Sequence, residues 1–212
     1  MRSSFWLRIE RLNSHDYAGM RVVSKQGRNL ALAIIGGLVF GLATWGVNVG
    51  GKPLTYLFLQ VNFLVYHGFY WQLLTSVVVA TPDALGVADV LFNALAVVWL
   101  DNLLGGAFNP REYYATFLLS ALSGNLLSLL AGPDLISFGA SGGIFGLLAG
   151  AVSEDYAAER RLNTGLLAWF LLVFIFSSFS SGYINWIAHL GGAVSGLAAG
   201  YYLGVRRRGI LV

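Results

Sequence analysis

The chain has 212 residues, 57% of them hydrophobic and 11% charged, with 13 Lys and Arg against 10 Asp and Glu and no cysteine. Globular domains carry about a quarter charged residues, so an ordinary soluble protein is excluded. The missing thiol excludes a disulfide scaffold, a cysteine nucleophile and thiolate metal sites. A net charge of +3 does not point to nucleic acid, because the basic residues flank apolar runs and do not interleave with aromatics as in a single-strand groove.

In chain order, residues 1–28 form a basic arm with Arg2, Arg8, Arg11, Arg21, Lys25 and Arg28. The apolar run that follows, 29–49, is too long for a signal peptide and lacks a small-residue cleavage site, so it is read as a retained transmembrane helix. Further spans are expected at 85–105, 113–130, 141–152, 164–179 and 187–205. The fourth is too short to cross a bilayer by itself. It can start inside a bundle if the leading loop, 136–140, is buried in protein or lines a watery cavity. Residues 50–83 are apolar and aromatic, with Phe69-Tyr70-Trp71 at their centre. They are read as a partly re-entrant or interfacial loop; the alternative is a seventh span.

Topology follows from the basic residues. Twelve of the 13 Lys and Arg fall before span 1, between spans 2 and 3 (Arg111), between spans 4 and 5 (Arg160, Arg161) or after span 6 (Arg206, Arg207, Arg208). Lys52 alone lies on the other side. Both termini are therefore expected in the cytoplasm, in the plasma membrane if the source is prokaryotic. The organisation is a basic arm, a six-helix membrane domain over 29–205, and a basic tail over 206–212.

Of the histidines, His15 lies in the arm and His67 among the loop aromatics, whereas His189 lies in an apolar span. An ionisable residue there is a functional candidate by default; the alternative is a neutral helix-to-helix hydrogen bond. Gly142, Gly146 and Gly150 make one stripe, and Gly192, Gly196, Gly200 and Gly204 another. Stripes of this spacing let backbones approach in a membrane. Ser141 and His189 each stand just before a stripe, at the same end of two helices of the same direction. A serine needs an adjacent base to act as nucleophile, and the two can meet at about 3 Å, a hydrogen-bond distance. The loop Gly139-Ala140-Ser141-Gly142 opens a helix whose free N–H groups at Ser141 and Gly142 could hold an oxyanion. Read alone, it is equally a packing motif and a cap. Asn93 could donate to the same oxygen or bond between helices. Asp89, one turn earlier, could orient a partner or line a cavity. Asp101, Glu154 and Asp155 are read as interfacial or cap-related. No metal or phosphate motif occurs, and no cofactor is expected.

Taken in order, Trp71-Gln72-Leu73-Leu74-Thr75-Ser76, Leu91-Phe92-Asn93, Gly139-Ala140-Ser141-Gly142 and Ala188-His189-Leu190-Gly191-Gly192 resemble the rhomboid family of intramembrane serine proteases. The resemblance implies an all-α polytopic fold, a six-transmembrane-helix bundle with a partly embedded loop between helices 1 and 2. It implies a Ser141–His189 dyad without a third carboxylate member, with Asn93 as oxyanion donor. It also implies transmembrane protein substrates, with spans 2 and 5 bordering their way in. The sequence departs from the family pattern at Asp89, where a histidine is frequent, and at Gln72, where an arginine follows the tryptophan. It departs again at Phe145, a tyrosine in some members, and at Asp101, usually glutamate. Phe145 can still stack on the His189 ring. Two other functions fit the composition: a non-catalytic protein that binds membrane clients, and a small transporter with Asp89, Asn93 and His189 along a polar path.

Overall fold

A computed structural model describes residues 25–104, 106–179 and 185–210, with the backbone alone at 101–103, 179 and 210. The basic arm up to residue 24, with His15, and the last two residues of the tail lie outside the described residues, as does the side chain of Asp101.

Long helices dominate: α1 Lys25–Trp45, α4 Ala84–Leu103, α5 Pro110–Ser128, α6 Ser141–Glu159, α7 Thr164–Phe179 and α8 Trp186–Ile210. By length and apolarity, α1 and α5 with its 3₁₀ extension to Ala131 are the helices that could cross a bilayer unaided. Their ends follow local chemistry. Asp83 caps α4 by accepting from the Gly86 N–H at 2.9 Å. Asn109 and Glu112 form a reciprocal capping box behind Pro110 at the start of α5, satisfying N–H groups that the helix leaves open. Arg160 stops α6 in the left-handed conformation at φ 55°.

Two expectations change. The fourth helix is 19 residues long, not 12, because Glu154 and Asp155 continue it. Both acids are buried. Arg207 reaches Glu154 Oε1 at 2.5 Å, and it also pairs with Glu112 and donates to the Ala107 carbonyl. That cluster ties α5, α6 and α8 together at the end opposite Ser141. The basic residues 206–208 therefore extend α8, and Arg207 is a structural clasp rather than part of a free tail.

The segment between α1 and α4 holds no seventh long helix. It is a chain of short elements: strands β1 Asn48–Val49 and β2 Lys52–Pro53, a 3₁₀ turn Leu54–Leu57, β3 Gln60–Val61, α2 Asn62–Tyr66 and α3 Gln72–Thr75. β3 pairs antiparallel with β4 Ile136–Ser137, Gln60 opposite Ser137 and Val61 opposite Ile136. Apolar side chains on a non-helical backbone need internal partners for every polar group, and buried amides supply them. Gln60 Nε2 donates to Asn62 Oδ1 and to the Asn125 carbonyl, each at 2.9 Å. Asn62 Nδ2 donates to the carbonyls of Ser128 and Gly132 at 2.9 and 2.8 Å. Gln72, where the family pattern has arginine, accepts from the Val61 N–H at 3.0 Å and donates to the Tyr56 carbonyl at 3.0 Å. Trp71 Nε1 donates to the Leu57 carbonyl at 2.8 Å. Gln72 and Trp71 thus both fasten this segment to itself.

Asn125 joins this segment to α5, donating to the Leu73 carbonyl at 2.8 Å and to Ser76 Oγ at 3.1 Å. Asn125→Leu strands both acceptors and is expected to cost about 2 kcal/mol, read as earlier thermal unfolding in detergent. An unchanged midpoint would show that the network contributes nothing to stability.

The main apolar core lies between α1, α4, α5 and α6, and the closest backbone packing lies where α5, α6 and α8 meet. A Cβ at Gly192 would stand 2.0 Å from the Gly142 carbonyl oxygen, one at Gly196 2.0 Å from that of Gly146, and one at Gly200 1.9 Å from that of Gly150. The two stripes therefore lie backbone on backbone, in register and parallel. α5 closes the third side, with Gly124 against the Ala188 carbonyl and Ser120 against Gly146.

Candidate functional site

The register of α6 and α8 places their first turns side by side. Ser141 opens α6, and His189 is the fourth residue of α8. His189 Nε2 and Ser141 Oγ are 2.8 Å apart. The imidazole is 4% exposed. Phe145, one turn beyond Ser141, packs on its ring with centroids 4.6 Å apart and planes at 46°, so the stacking expected of this residue is present without a hydroxyl.

The loop ahead of Ser141 is fastened from two sides. β4 pairs with β3, and the Gly139 N–H donates to the Ser76 carbonyl at 2.9 Å. Gly139 has φ +117°, and a Cβ there would lie 2.8 Å from an Asp89 carboxylate oxygen. Only glycine fits such a conformation and such a neighbour without strain. Asp89 thus lies against the turn that delivers Ser141. Ala140, the residue before the helix, supplies no side-chain cap, so the first N–H groups of α6 are left open to other acceptors.

Asn93 lies one turn after Asp89 on α4 and is 6% exposed. The Asp89 carboxylate is near enough to interact with its side chain, yet Asn93 Nδ2 makes no hydrogen bond among the described residues. The amide thus has a carboxylate beside it, and it could donate to that group or to an acceptor that arrives from outside. His67 is elsewhere: its Nδ1–H donates to the Phe63 carbonyl at 2.7 Å, and its ring rests on Phe63.

Reading the sequence missed one partner. Ser178 Oγ lies 2.8 Å from His189 Nδ1 and is 2% exposed. Phe170, Phe174 and Ser178 follow each other at four-residue spacing and form one face of α7. Phe170 and Phe174 meet the Phe145 ring at 6.5 and 5.2 Å, and Phe174 meets the imidazole at 6.4 Å. The signal available in the sequence was a hydroxyl in register with two phenylalanines on an otherwise apolar helix.

The fold and this site together define an α-helical membrane protein built around a partly buried serine–histidine contact. A rhomboid-domain family model matches residues 67–206, well over half of the chain. RHOMBOID-like protein 1 of Arabidopsis thaliana is 30% identical over 152 residues, which cover 70% of this chain and 38% of that protein. RHOMBOID-like protein 7 of the same plant is 30% identical over 144 residues, 66% of this chain and 45% of that protein. Rhomboid-like protease 3 of Toxoplasma gondii is 27% identical over 118 residues, 53% of this chain and 45% of that protein. In each of these matches the chain spans less than half the length of the curated relative. The chain belongs to the rhomboid family and has its all-α, membrane-associated fold.

Proposed function

We propose that this chain is an intramembrane serine endopeptidase that hydrolyses peptide bonds in or near the transmembrane segments of other membrane proteins. The observation that carries the reading is the 2.8 Å contact between Ser141 Oγ and His189 Nε2 within a rhomboid domain. The six long helices are proposed to span the bilayer with both chain ends on the cytoplasmic side, by the bias of basic residues. Ser141 and His189 then lie toward the opposite face.

In the reaction, His189 Nε2 takes the proton of Ser141 as Oγ attacks the scissile carbonyl carbon. The carbonyl oxygen becomes an oxyanion, held by the open N–H groups at the start of α6 and by Asn93 Nδ2. The tetrahedral adduct collapses, the C–N bond breaks, and His189 returns the proton to the leaving amine. Water then attacks the acyl-enzyme with His189 again as base, and Ser141 is regenerated. This is Ser–His catalysis without a carboxylate third member.

The test is cleavage of a model transmembrane substrate by the purified protein in detergent or liposomes, beside labelling with a fluorophosphonate probe. Cleavage together with a label on Ser141 is expected. Stable binding of the substrate with neither cleavage nor label would favour a client-binding role instead. Asn93→Ala is expected to lower kcat about 10²- to 10³-fold, the usual cost of one oxyanion donor, with little change in KM. A loss confined to KM would assign Asn93 to substrate binding.

A further inference from the structure

We propose that Ser178 is a positioning residue for His189: it holds the ring at Nδ1 and accepts the Nδ1–H in the tautomer that leaves Nε2 free to take the proton of Ser141. The inference rests on the reading of Ser141 and His189 as nucleophile and base, but the contact behind it does not.

A neutral imidazole carries one N–H, and which nitrogen bears it follows from the partners of both. His189 has a hydroxyl at each nitrogen, Ser141 at Nε2 and Ser178 at Nδ1, both at 2.8 Å. With the proton on Nε2, the ring would donate to Ser141 and could not act as its base. With the proton on Nδ1, it donates to Ser178 and accepts from Ser141. A hydroxyl has two acceptor lone pairs beside its one donor, so Ser178 can serve as acceptor without giving up its own proton. Burial removes water as a substitute: Ser178 is 2% and His189 4% exposed, and Phe145 and Phe174 flank the ring. Ser178 also limits rotation of the ring about its bond to Cβ, so that Nε2 stays directed at Ser141.

During attack, the Ser141 proton moves to Nε2 while the Nδ1 proton stays on nitrogen and remains bonded to Ser178 Oγ. No proton passes to Ser178. A neutral hydroxyl therefore orients the base as a carboxylate would, but it offers less to the imidazolium that forms. It also belongs to α7, so the base is fastened to a helix other than its own.

The experiment uses the full-length protein with ¹⁵N-labelled histidine in detergent, reading ring-nitrogen shifts and cleavage together for the wild type, Ser178→Ala, Ser178→Thr and Ser177→Ala. The His189 signal is assigned by its loss in His189→Ala. Ser177 is the control, since its Oγ has no partner among the described residues. The wild type should hold the Nδ1–H tautomer. Ser178→Ala should mix the tautomers and lower kcat about 10- to 100-fold, by analogy with partners that orient a metal-bound imidazole through its other nitrogen. Ser178→Thr should restore both readings, and Ser177→Ala should leave both unchanged. An Nε2–H tautomer in the wild type, or Ser178→Ala with unchanged shifts and kcat, would overturn the inference. A wild type that holds the Nδ1–H tautomer lost in Ser178→Ala, but cleaves nothing, would retain the contact and sink the proteolytic reading instead.

Discussion

Ser141→Ala and His189→Ala will each reduce cleavage of a transmembrane substrate by about 10⁴-fold or more, the scale on which nucleophile and base act as one unit. The two losses should not add, because removing either leaves the other without a function. Ser141→Ala should destabilise the fold little. Ser141 is partly open and its hydroxyl caps nothing. His189 is buried with Phe145 and Phe174 packed on its ring, so alanine there leaves a cavity, and that variant's thermal midpoint is to be read beside its cleavage. Ser141→Ala should abolish fluorophosphonate labelling outright. His189→Ala should slow it strongly, since the hydroxyl remains but its base is gone. Substantial cleavage by either variant would mean that the reaction, if any, runs through other groups.

Gly196→Ala is expected to have the second-largest effect, and by a different route. One added methyl would sit 2.0 Å from the Gly146 carbonyl oxygen and 2.5 Å from its Cα. Both neighbours are main chain, so no rotamer change relieves the clash and the helices must separate. Overpacking of this kind costs about 3 kcal/mol, and the separation carries His189 away from Ser141. Thermal stability and probe labelling should therefore fall together, whereas Ser141→Ala loses labelling alone. Gly36→Ala is the matched control: nothing lies within 4 Å of a Cβ there, and alanine is the better helix former. Equal behaviour of the two variants would refute close packing of α6 on α8.

The helices and the paired residues were legible in the sequence for identifiable reasons. The fifth helix was read with the bounds it has, Thr164–Phe179, because an uninterrupted apolar run leaves little choice. The glycine stripes, four residues apart, named the two helices that touch and the ends at which Ser141 and His189 stand. What could not be read depended on partners far along the chain. α6 was cut short at Val152 because Glu154 and Asp155 look like the end of a membrane helix. Arg207, 53 residues from Glu154, helps to make the buried acid tolerable. The segment 50–83 looked embedded, but its fold is set by side-chain amides that bond to carbonyls more than 60 residues away. Ser178 was passed over because a hydroxyl at the end of an apolar helix is ordinary until the residue facing it is known.

The clasp and the stripes bear on how the molecule comes into being in a bilayer. α6 and α8, which carry Ser141 and His189, are not among the helices whose length and apolarity suit an independent crossing. One is rich in glycine and holds buried acids; the other runs out into three arginines. Each is poorly matched to lipid and well matched to its neighbour. Their docking beside α5 is therefore what brings Ser141 and His189 together. A chain in which α6 and α8 have not yet docked has no such pair.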